Sequence, residues 1–305
     1  MIKAVTFAPF VRRGVLGGAE TEESLKLMAE RTGATHVVLA PAGLQETPQS
    51  EEIVFDGWAT MSDLELQHTI ESAQKLGLEV ILKPTVNCLN GAWRAFINFF
   101  DMDVVCEPKW GNWFKSHEKF QLHYAKLARE SGCTMFITGC EMVMSERRER
   151  EWRHLIGAVK SEFGGLVSYN TDKYQEGNVA WWDAADVISS SGYYPLGDWN
   201  AQLDRIEAVV RKFDKPFFFA ETGCMSRSGS AAVPNDWSQS GEINLDEQAC
   251  WYDDMFAQTL ERPWVGGWAL WAWPPKLYGR EAAKSDGGYG IYGKPSEKVV
   301  RRYWG

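Results

Sequence analysis

The sequence predicts an α/β chain folded as a single-domain (β/α)8 TIM barrel over residues 1–305. Three observations carry that expectation. Eight short apolar runs alternate with amphipathic helical runs from end to end. The turn after the first run, Ala8-Pro9-Phe10-Val11-Arg12-Arg13, lacks the GxGxxG that a doubly wound nucleotide-binding sheet would place there, and no Walker sequence occurs elsewhere. Two of the apolar runs end in a single glutamate. Thr134-Met135-Phe136-Ile137-Thr138-Gly139-Cys140 leads to Glu141, and Pro216-Phe217-Phe218-Phe219-Ala220 leads to Glu221. A strand buried on both faces should not carry a carboxylate unless something pairs with it or uses it. In a parallel barrel every strand's C-terminal end points to one mouth, so both glutamates would meet there.

The elements read in order. Ile2–Ala8 is the first strand. A helix follows from Thr21, its cap, to Arg31, with Glu22 and Glu23 in the first turn and Gly33 as terminator. His36–Ala40 is the second strand. Ser62 caps the next helix, with Glu65 in the capping-box position and Gly77 past its end. Leu78–Lys83 is the third strand, stopped by Pro84, and a loop rich in Asn and Trp runs from Thr85 to Gly111. A helix over Asn112–Ser131 precedes the fourth strand, which ends in Glu141, and another runs to about Phe163. Leu166–Asn170 and Val187–Ser191 are strands five and six, Asn200–Phe213 is a helix, and strand seven ends in Glu221. A polar loop, Met225–Asn244, leads to a helix over Asp246–Leu260. Val265–Trp273 is strand eight, stopped by Pro274-Pro275, and Glu297–Tyr303 closes the chain as a helix.

Composition excludes several classes. The chain is 45% hydrophobic and 24% charged, an ordinary globular balance. Net charge is −9 and no basic stripe is present, which argues against nucleic acid; Arg147-Arg148-Glu149-Arg150 reads as a solvated helix face. No apolar run reaches membrane-spanning length. Met1–Phe7 enters a strand pattern directly, without a signal peptide's apolar core, so a cytoplasmic protein is expected. Six cysteines show no CxxC spacing and the five histidines fall mostly in helical runs, so neither a metal nor a cofactor is expected. Fifteen tryptophans exceed what a core of this size needs, and their flat faces suit the apolar face of a sugar ring. Trp93, Trp110, Trp113, Trp199 and Trp237 lie in loops or at helix starts, where one or two would stack on sugars and the others would pack.

A carboxylic acid and a carboxylate across one barrel mouth can protonate a glycosidic oxygen and attack the anomeric carbon. The chain resembles clan A of the glycoside hydrolases and, more narrowly, glycoside hydrolase family 113, the β-mannanase family. The resemblance rests on Lys83-Pro84 with Trp93-Arg94, Gly139-Cys140-Glu141-Met142, Trp181-Trp182-Asp183-Ala184 leading to Gly192-Tyr193-Tyr194-Pro195-Leu196, Lys215-Pro216 through Gly223, and the Trp-rich strand eight. It implies that Glu141 is the acid/base and Glu221 the nucleophile of a retaining enzyme cleaving β-1,4-mannan or manno-oligosaccharides. Most clan members place Asn before the acid/base to bind the sugar 2-hydroxyl; here Cys140, a poor donor, stands there, so that role would be weaker or be taken by another group such as Asn170 or Asn87.

Further site expectations follow from position. Tyr193 or Tyr194 would donate to Glu221. Trp273 would floor the reacting sugar, with Trp271 one layer deeper. Lys83 would bind a sugar hydroxyl or pair with Glu141 or Asp172, and Asn170 and Asp172 would bind hydroxyls. Trp93 and Cys140 complete the expected substrate-contacting set. The expected partner is an oligosaccharide or polysaccharide, with no nucleic acid and no membrane; the oligomeric state is left open. Two alternatives stay open here: a retaining β-glycosidase, xylanase or glucanase acting on another β-linked sugar, and a catalytically inactive carbohydrate-binding barrel.

Overall fold

The computed structural model describes residues 1–305. Eight parallel strands close into a barrel: β1 (Ile2–Phe7), β2 (His36–Leu39), β3 (Glu79–Leu82), β4 (Met135–Cys140), β5 (Leu166–Thr171), β6 (Val187–Gly192), β7 (Phe217–Thr222) and β8 (Val265–Trp273). β1 pairs with both β2 and β8, which completes the ring. The outer helices are α1 (Ala19–Thr32), α2 (Asp63–Lys75), α3 (Trp110–Glu130), α4 (Glu149–Phe163), α5 (Trp199–Phe213), α6 (Leu245–Leu260), the one-turn α7 (Arg280–Ala283) and α8 (Pro295–Trp304). None is long and apolar enough to cross a membrane.

Between β5 and β6 a short 3-10 turn, Trp182–Ala184, stands where a helix would be. Indole rings fill the space instead: Trp181 stacks on Trp152 of α4 with centroids 5.1 Å apart. Nine of the fifteen tryptophans are fully buried, so the surplus mostly builds the shell between barrel and helices. Truncating one to alanine would cost about 3–5 kcal/mol.

Local chemistry places most ends. Ser62 and Glu65 form the expected capping box on α2. α1 begins three residues earlier than its sequence suggests, with Gly18 at the cap position, and Thr21 inside the helix donates its hydroxyl to Val15 O instead of capping. Part of the loop after β3 is ordered: Thr85–Cys88 pairs in parallel with Ala42–Gln45, a two-stranded ribbon above the mouth.

The barrel interior changes character along its axis. Its N-terminal layers are apolar, with Ala4, Val38, Ile81, Met135, Phe218 and Ala269 packed together. Nearer the C-terminal ends the buried side chains are Thr6, Lys83, Asn170, Ser189 and Ser191. Buried polar groups need partners, so that end is where chemistry can be built.

Three strands carry a one-residue register shift there. On β7, Phe219 faces Ser190 but Glu221 faces Ser191, so Ala220 is the extra residue and the next side chain, Glu221, also turns inward. On β4, Ile137 faces Ser168 while Cys140 faces Asn170. Gly139 sits inside that shift at φ +156°, and a Cβ there would come within 2.9 Å of the Trp152 ring. On β8, Thr6 faces Trp271 but Phe7 faces Trp273. This last shift reverses the expected tryptophan order. Trp273 turns outward and donates its indole N–H to Ser24 of α1, while Trp271 reaches the cavity.

Candidate active site

Glu141 is the first residue past β4. Its backbone lies in the left-handed region at φ 52°, uncommon for a residue with a Cβ and a mark of a held position. The hold comes from its N–H, which donates to Asn170 O at 2.7 Å. Oε1 accepts from Ser191 Oγ at 2.7 Å. Oε2 accepts from Trp93 Nε1 at 3.1 Å and from an Arg94 Nη at 2.8 Å. Arg94 is itself fixed by donating to Val86 O and to Asn87 Oδ1, both on the ribbon above the mouth.

Glu221 is held differently. Oε1 accepts from Lys83 Nζ at 2.6 Å and from Cys140 Sγ at 3.3 Å, and Oε2 accepts from Tyr193 Oη at 3.0 Å. Lys83 has no solvent exposure. Burial alone would push the Glu221 carboxyl up, but the Lys83 ammonium and then the Arg94 guanidinium outweigh it and hold the group below the usual carboxylate range. Burial, followed by the charge of Glu221, pushes the Tyr193 phenol and the Cys140 thiol well above their usual values, so both stay protonated and donate. A carboxylate oxygen of Glu141, one of Glu221 and the Cys140 sulfur all lie within 4.8 Å of one another.

Both carboxylates face a cavity of about 470 Å³. Phe10 and Trp271 form an apolar wall, with ring centroids 5.4 Å apart, and Trp93 and Trp237 form another. Asp172 lies at the edge, 3.8 Å from Lys173 Nζ. Burial, then the charge of Glu141, pushes its carboxyl up to about 8 although Lys173 opposes the shift. The oxygens and sulfur near Glu141 and Glu221 would suit a metal by spacing, but any cation would sit against Lys83 and Arg94, two fixed positive charges.

Of the residues expected from sequence, Glu141, Glu221, Asn87, Trp93, Asp172 and Tyr193 line the cavity. Five do not. Lys83 is consumed by Glu221 and by Ala220 O, beneath the cavity floor, rather than by a sugar, Glu141 or Asp172. Cys140 is buried beside Glu221 and donates to it. Asn170 turns to Thr171 O and Ser191 Oγ, so of the two asparagines expected there Asn87 alone lines the cavity. Tyr194 points outward to Glu176 because it follows Tyr193 by one residue, on the opposite side of the chain. Trp273 is outside for the register reason given above. Among the loop tryptophans, Trp110, Trp113 and Trp199 are core, whereas Trp93 and Trp237 reach the cavity.

Arg94 and Ser191 hold Glu141 without being among the partners expected for it from the sequence. Signals existed for both. Arg94 adjoins Trp93 in an aromatic-rich loop at the mouth, and Ser189-Ser190-Ser191 is a hydroxyl run in a strand that burial would otherwise make apolar.

Glycoside Hydrolase Family 113, as a sequence family, matches residues 5–294. The chain belongs to glycoside hydrolase family 113. It is a glycoside hydrolase. Among solved structures, one described as a GH113 β-1,4-mannanase in a complex is 54% identical, with a TM-score of 0.98 and coverage of 99% of this chain and 98% of that one. Another GH113 β-1,4-mannanase is 55% identical with the same TM-score and coverage. The GH113 β-mannanase AaManA from Alicyclobacillus acidocaldarius, in complex with ManMIm, is 44% identical at a TM-score of 0.96, covering 99% and 96% of the two chains. A β-glucuronidase from Ruminococcus gnavus, 14% identical at a TM-score of 0.67, shares the fold over half its own length. No curated protein sequence matches the chain. This family 113 barrel thus carries one inward glutamate directly after β4 and one within β7, each in a distinct hydrogen-bond cage.

Proposed function

We propose that this family 113 chain is a retaining β-glycosidase of the β-1,4-mannanase type. Residues 1–305 form one catalytic barrel, with Glu221 as nucleophile and Glu141 as acid/base. The observation that carries the reading is the separation of the two carboxylates. Their nearest oxygens lie within 4.8 Å, matching the roughly 5–5.5 Å of retaining pairs and too close for the interposed water of inverting ones, which need about 6.5–9.5 Å. β-1,4-Linked mannan or manno-oligosaccharides are the proposed substrates because the 44–55% identical relatives are described as mannanases.

The chemistry follows from the two cages. Glu221, kept ionised by Lys83 and Arg94, attacks the anomeric carbon, and the C–O bond to the leaving sugar breaks. Glu141 gives its proton to the departing oxygen. Tyr193, Cys140 and Lys83 fix the Glu221 carboxylate, so one lone pair is aimed at the carbon before substrate arrives. In the second half Glu141 takes a proton from water, which displaces Glu221 and releases the sugar with its original configuration. Trp271, with the Lys83 ammonium 5.5 Å from its ring centre, gives the sugar an apolar wall beside Glu221.

Proton NMR of mannotetraose hydrolysis tests this. The first product anomer seen should be β, and xylo- and cello-oligosaccharides should be cleaved far more slowly. Glu141→Ala should lower kcat/KM on mannotetraose by about 10²–10⁴-fold. Adding azide should then yield a β-mannosyl azide, because azide needs no base. An α product would overturn the retaining reading, and equal rates on cello-oligosaccharides would overturn the sugar.

A further inference from the structure

Trp58 is the most exposed tryptophan of the chain, at 77%, and it takes no part in the catalytic cavity. An indole held in water is apolar surface without a partner. Its backbone is nonetheless fixed. Trp58 O accepts from Arg13 N at 3.3 Å, and an Arg13 Nη meets Asp56 Oδ1 at 2.8 Å. The buried Thr60 closes the same turn: its hydroxyl accepts from Gly57 N at 3.2 Å and donates to Phe55 O at 2.9 Å. Part of the ordering cost of binding at this turn is therefore met before a ligand arrives.

Trp58 lines a groove of about 610 Å³, with Leu44, Val54 and Leu89 as its apolar lining and the exposed carboxylates of Glu46 and Glu52 beside them. It also lines a neighbouring hollow of about 680 Å³, with Arg12, Arg13 and Lys276. The ring thus stands between carboxylates and cations. A polyanion would be repelled by the first and a polycation by the second, whereas a neutral sugar hydroxyl donates to one and accepts from the other. Twelve residues line the groove, fewer than the roughly 20–30 a side of a stable protein interface. Position adds a further argument. Asn87 and Cys88 line the catalytic cavity, while Leu44 and Gln45, their register partners in the ribbon, line the groove. The ribbon is a partition with the cavity on one side and the groove on the other.

We propose that Trp58 and its groove form a second binding site, for a neutral polysaccharide, on the outer side of the ribbon that borders the catalytic cavity. Binding there needs neither Glu141 nor Glu221; the choice of a mannan as ligand rests on the proposed function. Holding one stretch of a long chain in the groove raises the effective concentration of the rest at the cavity. An oligosaccharide short enough to be held by the cavity alone gains nothing.

Affinity electrophoresis in gels containing a soluble galactomannan reads the binding, with the full chain carrying Glu221→Ala so that the polymer survives. Adding Trp58→Ala should weaken the dissociation constant about threefold or more, the scale of a lost aromatic contact, and Trp58→Tyr should restore most of it. In the otherwise unaltered chain, Trp58→Ala should lower kcat/KM on galactomannan about threefold or more and leave mannotetraose within about twofold. The melting temperature should match the parent, because the ring is exposed. Retardation unchanged by Trp58→Ala would overturn the site. Equal losses on galactomannan and mannotetraose would also overturn it, since Trp58 would then act on the cavity through the ribbon. A monomer–dimer equilibrium in analytical ultracentrifugation that Trp58→Ala abolishes, with retardation intact, would assign the ring to a second copy and overturn it as well. Trp58-dependent retardation in a chain that leaves mannotetraose uncut would support this site while overturning the catalytic reading.

Discussion

Glu221 and Glu146 are both buried carboxylates near the mouth of one barrel, and their neighbours drive them in opposite directions. Glu221 faces the cavity beside an ammonium and a guanidinium, and these overcome burial and lower its proton affinity. Glu146 sits behind β5 and accepts only from the hydroxyls of Tyr169 and Thr171. Burial dominates there and pushes it up to about 7, the two hydroxyls opposing the shift and the charges of Glu176 and Glu141 adding to it. Burial alone does not make a carboxylate reactive. A cation makes it a nucleophile in waiting, and an opening to substrate makes it useful. Glu176, also fully buried, has its cation in Arg205 but no opening.

The largest difference should appear in activity. Glu221→Ala should lose on the order of 10⁴-fold in kcat, as removal of a covalent nucleophile does. Glu146→Gln, which keeps the oxygen that Tyr169 and Thr171 address, should stay within about threefold on mannotetraose. If steady-state kinetics showed the two variants equally impaired, the distinction between them would fail.

Next in size is the effect of removing the cation. Lys83→Met leaves the Glu221 charge buried without its closest partner, a change expected to destabilise the fold by about 3–5 kcal/mol near neutral pH. Its pH dependence should also reverse. In the parent the depressed Glu221 carboxyl contributes stability that is present above the unfolded-state value, taken as 4.5, and is lost as pH falls through the lower folded value. In Lys83→Met the largest opposing influence is gone and burial is opposed by Arg94 and the hydrogen bonds from Cys140 and Tyr193, so stability should instead decline as pH rises above 4.5. Urea titrations between pH 4 and 8 would read both slopes, and parallel curves for parent and variant would contradict the cation's role.

A smaller effect isolates Glu146. A folded value near 7 against an unfolded 4.5 means the folded chain binds the extra proton, so stability is full below about pH 4.5 and declines as pH rises to 7. The total is about 3 kcal/mol. Glu146→Gln should remove that slope from the pH–stability curve. The smallest expected change is at Asp172, which burial and the Glu141 charge push up to about 8. Asp172→Asn should keep kcat/KM within a few-fold at pH 6 and remove an ionisation near pH 8 from the rate profile.

What could be read from residues alone divides along the barrel axis. The alternation of runs, their breakers and their terminal glutamates depend on local chemistry, and so the eight strands were legible. Ser62 with Glu65 is one such signal, and the structure closes it as a capping box. The side to which each residue turns at the mouth was not legible, because three register shifts break the two-residue period there. Counting by twos from Trp271 puts Trp273 in the site, whereas the shift at Ala272 sends it to Ser24. The same device turns Glu221 inward directly after Ala220. Pairings were the other hidden quantity. Lys83 was expected near a sugar, Glu141 or Asp172, but its partner sits 138 residues away on β7, a relation that only the closed ring reveals. Arg94 reaches Glu141 across a loop for the same reason.

The most direct test of the proposed roles is to trap the glycosyl enzyme with 2-deoxy-2-fluoro-β-mannosyl fluoride and map the labelled peptide by mass spectrometry. One added fluorosugar per chain is expected, on Glu221, lost on prolonged incubation. A label on Glu141, Asp172 or any other carboxylate would contradict it.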